Sequence, residues 1–280
     1  MRILKRHDFG EVQGWELGWS PVGRPLMTTI CYRAGPMLID TGLAHMRGAV
    51  LEMVEQERDN IQAVLLTHYH EDHSGNAAAI KSRFSIPVYG SMETASKLVS
   101  SYRIFPYQHL MWGAADPVAI DFLPDRLEGN GISFEPVHTP GHSKDHTVYL
   151  VPERGWLFSG DLYLSHQIKF FRADERIEDQ IRSLKKVLTL DFKALFCGHH
   201  PQQKKGKDYI TRKLQYLEDI YGSVAEQAAK GMTAPEVMKA LRLKEAKMVK
   251  WICFGNVSME NMVRSVMRSL EADRPPQRRG

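Results

Sequence analysis

The chain has 280 residues, of which 43% are hydrophobic, and a formal net charge of +4. This composition is ordinary for a globular protein, so we expect one large domain or one domain with an appendage. The small net charge argues against a protein whose main task is to bind nucleic acid. No stretch approaches the ~20 apolar residues of a membrane span. The charged N-terminus, MRILKRHDFG, lacks the apolar segment of a signal peptide.

The three cysteines indicate a reducing compartment. Cys31, Cys197 and Cys253 are odd in number, far apart, and set in apolar segments without a CxxC pair. This usage fits reduced, buried thiols better than a disulfide framework. We therefore expect a cytoplasmic protein.

The first 200 residues alternate between strand and helix signals. The first forty residues predict strands, because apolar, β-branched stretches are separated by turn signals such as Gly35-Pro36. The segment 103–128 has no clear period and is interpreted as an excursion on the surface. Further along, the pattern predicts helices over 44–57, 74–84, 93–102 and 177–190, and strands over 61–66, 86–89, 132–138, 147–151, 156–159 and 192–197. This succession favours an α/β sandwich of two sheets with helices outside.

Strand signals stop after about residue 204. Apolar positions in 209–224 keep helical spacing, Thr233 to Glu236 forms a capping-box pattern, and Ser258 is a candidate cap for a last helix. We therefore divide the chain into a domain over 1–203, a helical region over 204–272 and a basic tail over 273–280. Basic residues near the boundary and in the tail are interpreted as solvated surface: Lys204, Lys205, Lys207 and 274–280.

The stretch THYHEDHSGN at 67–76 holds three histidines and an aspartate within six positions. Imidazole and carboxylate are the usual ligands of zinc and similar divalent ions. His68 and His70 point to one face if the backbone is extended there, whereas Asp72 and His73 follow where the chain turns into a helix. Four donors are too many for one tetrahedral ion that takes further ligands elsewhere. The spacing therefore suggests two adjacent metal sites.

Three further candidate ligands each follow a glycine at a predicted strand end. They are His142, Asp161 and His199. Glycine lets the backbone turn sharply at such positions. Each residue alone is a weak signal, because Gly-His or Gly-Asp after a strand is often an ordinary turn.

Taken together, these motifs resemble those of the metallo-β-lactamase superfamily. H-x-H-x-D-H, then Gly-His, Gly-Asp and Gly-His occur in the family's order over about residues 1–203, and Leu38 to Gly42 (LIDTG) is similar to its first motif. The resemblance implies an αββα sandwich with two metal ions at one edge. The implied ligands are His68, His70 and His142 for the first metal, Asp72, His73 and His199 for the second, and Asp161 as the bridge. Asp40 would orient a ligand, and His200 is the rival of His199.

The resemblance also implies hydrolysis by a metal-activated water, with Asp72 and Asp161 as catalytic residues. Position 70 is His where the oxygen-reducing branch has a carboxylate. Position 161 is Asp where the secreted zinc β-lactamases have Cys or Ser, so a true β-lactamase is not expected. The arrangement is most similar to that of glyoxalase II-like thioesterases. Zinc is the favoured metal, and iron and manganese accept the same ligands.

The helical region resembles that of the subgroup that includes the quinolone-signal-response thioesterase, in which C-terminal helices cover the active site. By this resemblance, 254–262 would be a lid element. Asp145 and His146 would support the ligands or cap a strand. The aromatic residues at 102–112, together with Tyr163 and His166, would line the substrate pocket.

We therefore expect a dinuclear metallohydrolase that cleaves a small ester-type substrate, in particular a thioester. The alternatives are a lactonase, a phosphodiesterase or ribonuclease of the same superfamily, a mononuclear iron persulfide dioxygenase, and a non-enzymatic regulator. The expected partner is a small-molecule substrate rather than nucleic acid or a membrane. A homo-oligomer is compatible with the sequence.

Overall fold

A computed structural model of the protein describes residues 1–272, so the predicted basic tail at 273–280 lies outside the described residues. Twelve strands in this range form two sheets. The seven-stranded sheet has the order β1 (Arg2–Asp8), β2 (Val12–Trp19), β3 (Thr29–Ala34), β4 (Met37–Ile39), β5 (Ala63–Leu65), β6 (Val88–Gly90) and β7 (Asp121–Phe122). The five-stranded sheet has the order β12 (Ala194–Cys197), β11 (Trp156–Gly160), β10 (Thr147–Val151), β9 (Ile132–His138) and β8 (Leu127–Gly129).

Strand direction changes within each sheet. In the larger sheet the pairs from β1 to β4 are antiparallel, and those from β4 to β7 are parallel. In the smaller sheet only β11 and β12 are parallel. The parallel pairs need crossovers, which helices supply. The helices are α1 (Arg47–Gln56), α2 (Glu71–Ser74), α3 (Ala77–Phe84), α4 (Met92–Leu98), α5 (Pro106–Met111), α6 (Ile177–Leu188), α7 (Gly206–Ala229), α8 (Ala234–Ala240), α9 (Lys247–Ile252) and α10 (Met259–Ala272).

Side-chain alternation along buried strands produces four layers. In β10, Val148 and Leu150 pack with apolar residues of α6, α7 and α10, whereas Tyr149 and Val151 pack between the sheets. In β4, Leu38 joins the cluster that includes residues of α1 and α3, whereas Ile39 faces the inter-sheet cluster. Successive residues of a strand point to opposite faces. Each sheet therefore has one face on the other sheet and one face on helices, which confirms the predicted αββα sandwich.

The strands predicted over 132–138 and 147–151 match the structure, and the other predicted elements through 197 recur with shifted ends. The segment 103–128 carries α5 and the short strands β7 and β8, where the sequence showed no clear period. The short helix α9 was not predicted, and none of its side chains is buried. Its four apolar residues, Met248, Val249, Trp251 and Ile252, span less than two turns, which is too short a stretch for a periodic pattern to identify a helix. No helix within residues 1–272 is both long and apolar enough to cross a membrane.

The described elements after β12 are all helices. The Thr233 capping box opens α8 as predicted, with the Thr233 backbone N–H donating to Glu236 Oε2 at 2.7 Å. Ser258 Oγ accepts from the backbone N–H of Asn261 at 3.1 Å, which caps the start of α10. Helices α7 and α10 pack on α6 in one apolar cluster that also includes the outer face of the smaller sheet. This helical region therefore shares a core with the sandwich.

A buried lysine joins the helical region to the strand that ends at Asp161. Lys213 of α7 is 3% exposed, and its Nζ donates to the carbonyl oxygen of Leu162 at 2.6 Å. Burial lowers the pKa of Lys213 to about 8, against the opposing charges of Glu175 and Asp161. Burial thus disfavours the charged form of Lys213, and the charges of Glu175 and Asp161 offset part of this desolvation cost.

We expect the stability difference between the wild type and Lys213→Met to depend on pH. The unfolded lysine has a pKa near 10.5, so from pH 10.5 down to 8 the unfolded chain binds a proton that the folded chain does not. Stability from Lys213 is thus complete above pH 10.5 and is lost as the pH falls through about 8. Urea unfolding at pH 7.5, 9 and 10 should give a difference that grows by up to about 3 kcal/mol towards alkaline pH. A difference that does not change with pH would contradict this.

Candidate metal centre

The predicted ligands meet where strands of both sheets end. The segment 67–70 and α2 follow β5, Asp161 follows β11, and His199 follows β12. His142 lies in the loop between β9 and β10. The parallel pairing of β4 with β5, and of β11 with β12, brings the carboxyl ends of these strands to one edge. The topology thus collects side chains that are up to 131 residues apart, from His68 to His199.

The first group of donor atoms consists of three imidazole nitrogens and one carboxylate oxygen. His70 Nδ1 lies 2.9 Å from His68 Nε2 and 3.0 Å from His142 Nε2. Asp161 Oδ2 lies 3.4 Å from His142 Nε2. All three histidines are buried.

The second group uses the other oxygen of the same aspartate. Asp161 Oδ1 lies 3.2 Å from His73 Nε2 and 3.3 Å from His199 Nε2. Asp72 Oδ2 lies 3.8 Å from His73 Nε2. The Asp161 carboxylate is therefore shared between two groups of donors.

Four histidines bond outward through Nδ1, which leaves Nε2 directed into the centre. Their partners are Thr67 Oγ1 for His68 at 3.0 Å, Asp40 Oδ2 for His73 at 2.8 Å, Glu175 Oε1 for His142 at 3.2 Å and Thr28 O for His199 at 2.5 Å. The carboxylates and the carbonyl can only accept, so each of those Nδ1 atoms carries the proton. This arrangement fixes the ring tautomer and leaves a lone pair on Nε2, as in metal-ligating histidines.

Buried atoms without a partner test whether the residues suit a metal. Among residues 1–272, His73 Nε2, His199 Nε2 and Asp161 Oδ1 are buried and make no hydrogen bond of accepted geometry. Such atoms are costly to bury unless something satisfies them. Nitrogen lone pairs and carboxylate oxygens converging within 4.8 Å form a donor set that divalent ions prefer. The residues present therefore fit a metal centre.

The protonation preferences differ across the centre. Burial lowers the pKa of His68 well below its usual range. Burial would also lower the pKa of His73, but the carboxylates of Asp161, Asp40 and Asp72 outweigh it and raise that pKa well above its usual range. Burial raises the pKa of Asp161, yet the His73 and His199 charges hold it well below the usual range. Asp161 is thus ionised.

Asp40 supports two parts of the ligand loop at once. Its Oδ1 accepts from the backbone N–H of Thr67 at 2.8 Å, and its Oδ2 accepts from His73 Nδ1. The residue has a φ of +61°, a left-handed conformation that costs energy for a side chain other than glycine. The surrounding bonds hold it in that conformation, where its carboxylate orients His73.

Asp145 and His146 each accept a hydrogen bond from the backbone of a segment that carries predicted ligands. Asp145 Oδ2 accepts from the backbone N–H of Tyr69 and from Thr94 Oγ1, both at 2.8 Å, so it ties the ligand loop to α4. His146 Nε2 accepts from the backbone N–H of Asp161 at 3.1 Å. That bond requires the proton to lie on Nδ1, which faces Thr139 Oγ1 at 2.9 Å.

Tyr163, His166 and His200 lie away from the donor groups. Tyr163 is 3% exposed and packs in the apolar core beside Tyr209, at 6.0 Å between ring centroids. His166 is exposed. His200 is exposed and anchors through its backbone N–H to Cys197 Sγ at 3.0 Å, so His199 rather than His200 joins the centre.

A cleft of about 420 Å³ is lined in part by Tyr69, and we call it the Tyr69 cleft. The rings of Tyr69 and His70 are 4.8 Å apart, which places the cleft one residue from a predicted ligand. Its polar lining includes Tyr69, Lys97, Tyr102, Arg103, Arg172 and Asp174. Neither Tyr163 nor His166 is among the described residues that line it.

More than half of the chain matches a known protein family. The model of the metallo-beta-lactamase superfamily matches residues 22–199. The chain belongs to the metallo-beta-lactamase superfamily. It is a metallohydrolase of that superfamily, and the matched range contains all the predicted metal ligands.

Several curated superfamily members are similar in sequence. The beta-lactamase-like protein 2 homolog of Drosophila melanogaster is 26% identical over 80% of this chain and 78% of its own length. The hydroxyacylglutathione hydrolase GloC of Haemophilus influenzae is 31% identical over 59% of this chain and 82% of its own length. The atrochrysone carboxyl ACP thioesterase of Aspergillus fumigatus is 28% identical over 70% of this chain and 60% of its own length.

Solved superfamily structures share the fold at low identity. A metallo-beta-lactamase family protein from Thermus thermophilus aligns with a TM-score of 0.65 over 92% of this chain and 94% of that chain, at 19% identity. A metallo-beta-lactamase from Pontibacter korlensis aligns with a TM-score of 0.62 over 78% of this chain and its full length, at 18% identity. At this identity the likeness shows the fold alone.

Glu175 is a supporting residue that sequence reasoning missed. It lies in a loop after Asp161, 33 positions from the histidine that it contacts. Its Oε2 accepts from Gln180 Nε2 at 2.7 Å, which directs Oε1 to His142 Nδ1. No spacing in the sequence links the two residues, so only the fold reveals the pair.

We expect Glu175→Gln to weaken metal binding by about 10- to 100-fold, because the neutral amide supports the His142 imidazole less well than a carboxylate. Chelator competition should measure the loss, with Glu178→Gln in the first turn of α6 as the matched control. An unchanged metal affinity in a folded Glu175→Gln protein would refute this role.

We also expect metal affinity to fall as the pH falls from 8 to 6. Burial alone would lower the pKa of His73, His142 and His199. Neighbouring carboxylates outweigh burial, so the pKa of each ring is raised above its usual value. Raised pKa values keep protons on these rings at higher pH, and a metal must displace them. The affinity should fall about tenfold per pH unit for each displaced proton. Calorimetry in two buffers should detect the proton release, and binding without proton release would disagree with it.

Proposed function

We propose that the chain is a dinuclear metallohydrolase that cleaves a small thioester. The observation that carries the proposal is the Asp161 carboxylate, whose two oxygens face separate groups of donors. One carboxylate facing two donor sets suits a pair of metal ions rather than a single one.

His68, His70 and His142 would hold the first metal, and Asp72, His73 and His199 the second, with Asp161 between them. Zinc is the favoured ion for histidine and carboxylate ligands, and iron or manganese also suits them. Two such ions supply an ionised water at neutral pH and positive charge for a developing oxyanion.

The chain's own residues prepare the site around this chemistry. Asp72 is 5% exposed and next to the donor cluster, where its carboxylate can accept the proton that leaves the attacking water. His146 fixes the backbone of Asp161, so the bridging carboxylate stays aimed at both donor groups. The Tyr69 cleft gives the substrate a place to bind next to the loop that carries His68 and His70.

The choice of a thioester rests on branch features and on relatives. Position 70 is His rather than a carboxylate, and position 161 is Asp rather than Cys or Ser, which favours the glyoxalase II-like branch over the oxygen-reducing and β-lactamase branches. Relatives named hydroxyacylglutathione hydrolase and thioesterase support the same choice.

The three cysteines are free and buried, which supports a cytoplasmic protein.

The helices after residue 204 are proposed to cover one side of the site. Asn256 lines the Tyr69 cleft, and its side chain donates to the Tyr107 hydroxyl at 2.8 Å. The Ala173 backbone N–H donates to Asn256 O at 2.8 Å. The segment before α10 therefore closes the cleft against α5 and the Arg172 loop.

We expect the metal-loaded protein to hydrolyse acyl-thioesters, as measured by thiol release from a panel that also contains lactones and phosphodiesters. Asp161→Ala should reduce the rate to that of the metal-free protein, because the ligand groups lose their shared carboxylate. Asp59→Ala, at an exposed position, is the matched control. Cleavage of lactones or phosphodiesters without cleavage of thioesters would assign a different bond to the same centre.

A further inference from the structure

The Tyr69 cleft has a positively charged lining. Lys97, Arg103 and Arg172 line it, against one acidic residue, Asp174. Lys97 and Arg103 are exposed, so solvent screens them. Arg172 is different, because its side chain is only 16% exposed.

Asp174 holds the Arg172 guanidinium in place, but it accepts only some of the guanidinium N–H donors. Its Nε lies 3.2 Å from Asp174 Oδ1 and its Nη2 lies 3.5 Å from Asp174 Oδ2. Among residues 1–272, the described hydrogen bonds of this guanidinium run from Nε and Nη2 to Asp174, which leaves Nη1 available to the cleft. An arginine has five N–H donors in a planar fork that suits carboxylates and phosphates. A largely buried guanidinium with free donors can therefore bind an anion in the cleft.

The backbone around Arg172 is fixed by the helical region. Arg172 forms an antiparallel bridge with Val257, and Ser258 N donates to Phe171 O at 3.0 Å. The guanidinium thus projects from a braced segment. Preorganised donors lose less entropy on binding than donors on a mobile loop.

The cleft adjoins the loop that carries His68 and His70, because Tyr69 lies between these two residues in the chain. Tyr69 stacks edge-on against His70, and Lys97 Nζ lies 5.5 Å from the centroid of the Tyr69 ring. The Tyr102 hydroxyl donates to Tyr69 O at 2.9 Å and fixes this wall. A substrate with its reacting carbon at the centre could therefore extend along Tyr69 towards the three cations.

We propose that the Tyr69 cleft binds an anionic group, a carboxylate or a phosphate, at the far end of the substrate, with Arg172 as its main contact. The proposal rests on the proposed thioesterase function and adds the substrate class: thioesters with a negative charge on the acyl or the thiol arm. Asp174 is half-exposed and can move aside towards water when the anion arrives.

Matched thioesters test which arm carries the charge. Hexanoyl-N-acetylcysteamine is neutral, adipoyl-N-acetylcysteamine has an acyl carboxylate, and hexanoyl-glutathione has an anionic thiol arm. The metal-loaded wild type should show a higher kcat/KM for one or both anionic substrates than for the neutral one. This preference should shrink at 0.5 M salt, because screening weakens contacts with partly exposed charges.

Arg172→Met should lower the ratio of anionic to neutral kcat/KM by about 10- to 100-fold, mainly through KM, because a charge-assisted bond is lost. Arg172→Lys should recover part of the ratio. Lys97→Met, at an exposed position, should lower the ratio about 2- to 5-fold and serves if Arg172→Met does not fold. Lys239→Met on α8 removes an exposed charge outside the cleft and should leave the ratio unchanged.

Equal ratios in the wild type, Arg172→Met and Lys97→Met would overturn the anion site while leaving the thioesterase proposal intact. If no thioester is cleaved, the proposed function fails and calorimetry tests the cleft separately. Adipate and hexanoate share one carboxylate that can reach the metals, and adipate adds a second. Tighter binding of adipate that is lost in Arg172→Met would support the site, and equal affinities would reject it.

Discussion

The structure depends on the sharing of one buried carboxylate between two sets of imidazole nitrogens. Asp161 lies just after β11, and its two oxygens face histidines of α2, the β9–β10 loop and the segment after β12. Burial alone would lower the pKa of His73, His142 and His199, but neighbouring carboxylates raise it, so without a metal these rings hold protons that a metal must displace. The outward bonds of Nδ1 keep the rings aimed at the centre in either state.

The backbone near the centre is specialised for close approach. A Cβ on Gly198 would lie 2.9 Å from His73 Cε1 and 3.0 Å from Asp161 Oδ1, so any side chain there would displace a donor. Gly160 has a φ of +45°, and a Cβ on it would lie 2.8 Å from His146 Nε2, the atom that supports Asp161. These glycines precede His199 and Asp161 because no other residue lets the strand end so near the donors. The Gly-His and Gly-Asp motifs therefore have a steric cause.

The sequence allowed the αββα architecture and the clustered residues to be predicted because both leave local patterns. Residues 148–151 form a continuous apolar run, and the H-x-H-x-D-H motif places four donors within six residues. Glu175 leaves no such pattern. It reaches His142 only because the loop before α6 returns to the β9–β10 loop in the folded protein. Tyr163 was interpreted as a pocket residue from its position after Asp161, but its ring turns into the core beside Tyr209. Proximity in sequence to a ligand does not determine on which side of the strand end a ring packs.

The helical region reaches the centre through two buried contacts as well as through the cleft. Ser265 of α10 accepts from the backbone N–H of Ile177 and donates to the carbonyl of Glu175, so α10 positions the residue that orients His142. Lys213 of α7 holds the carbonyl of Leu162, next to the shared Asp161. Both contacts are within the apolar core, where a displaced polar group would lose its partner at a cost of about 1–3 kcal/mol. A shift of the helices that reshaped the Tyr69 cleft would therefore also act on His142 and Asp161. The same packed region therefore supports both the wall of the cleft and the residues around the donor groups.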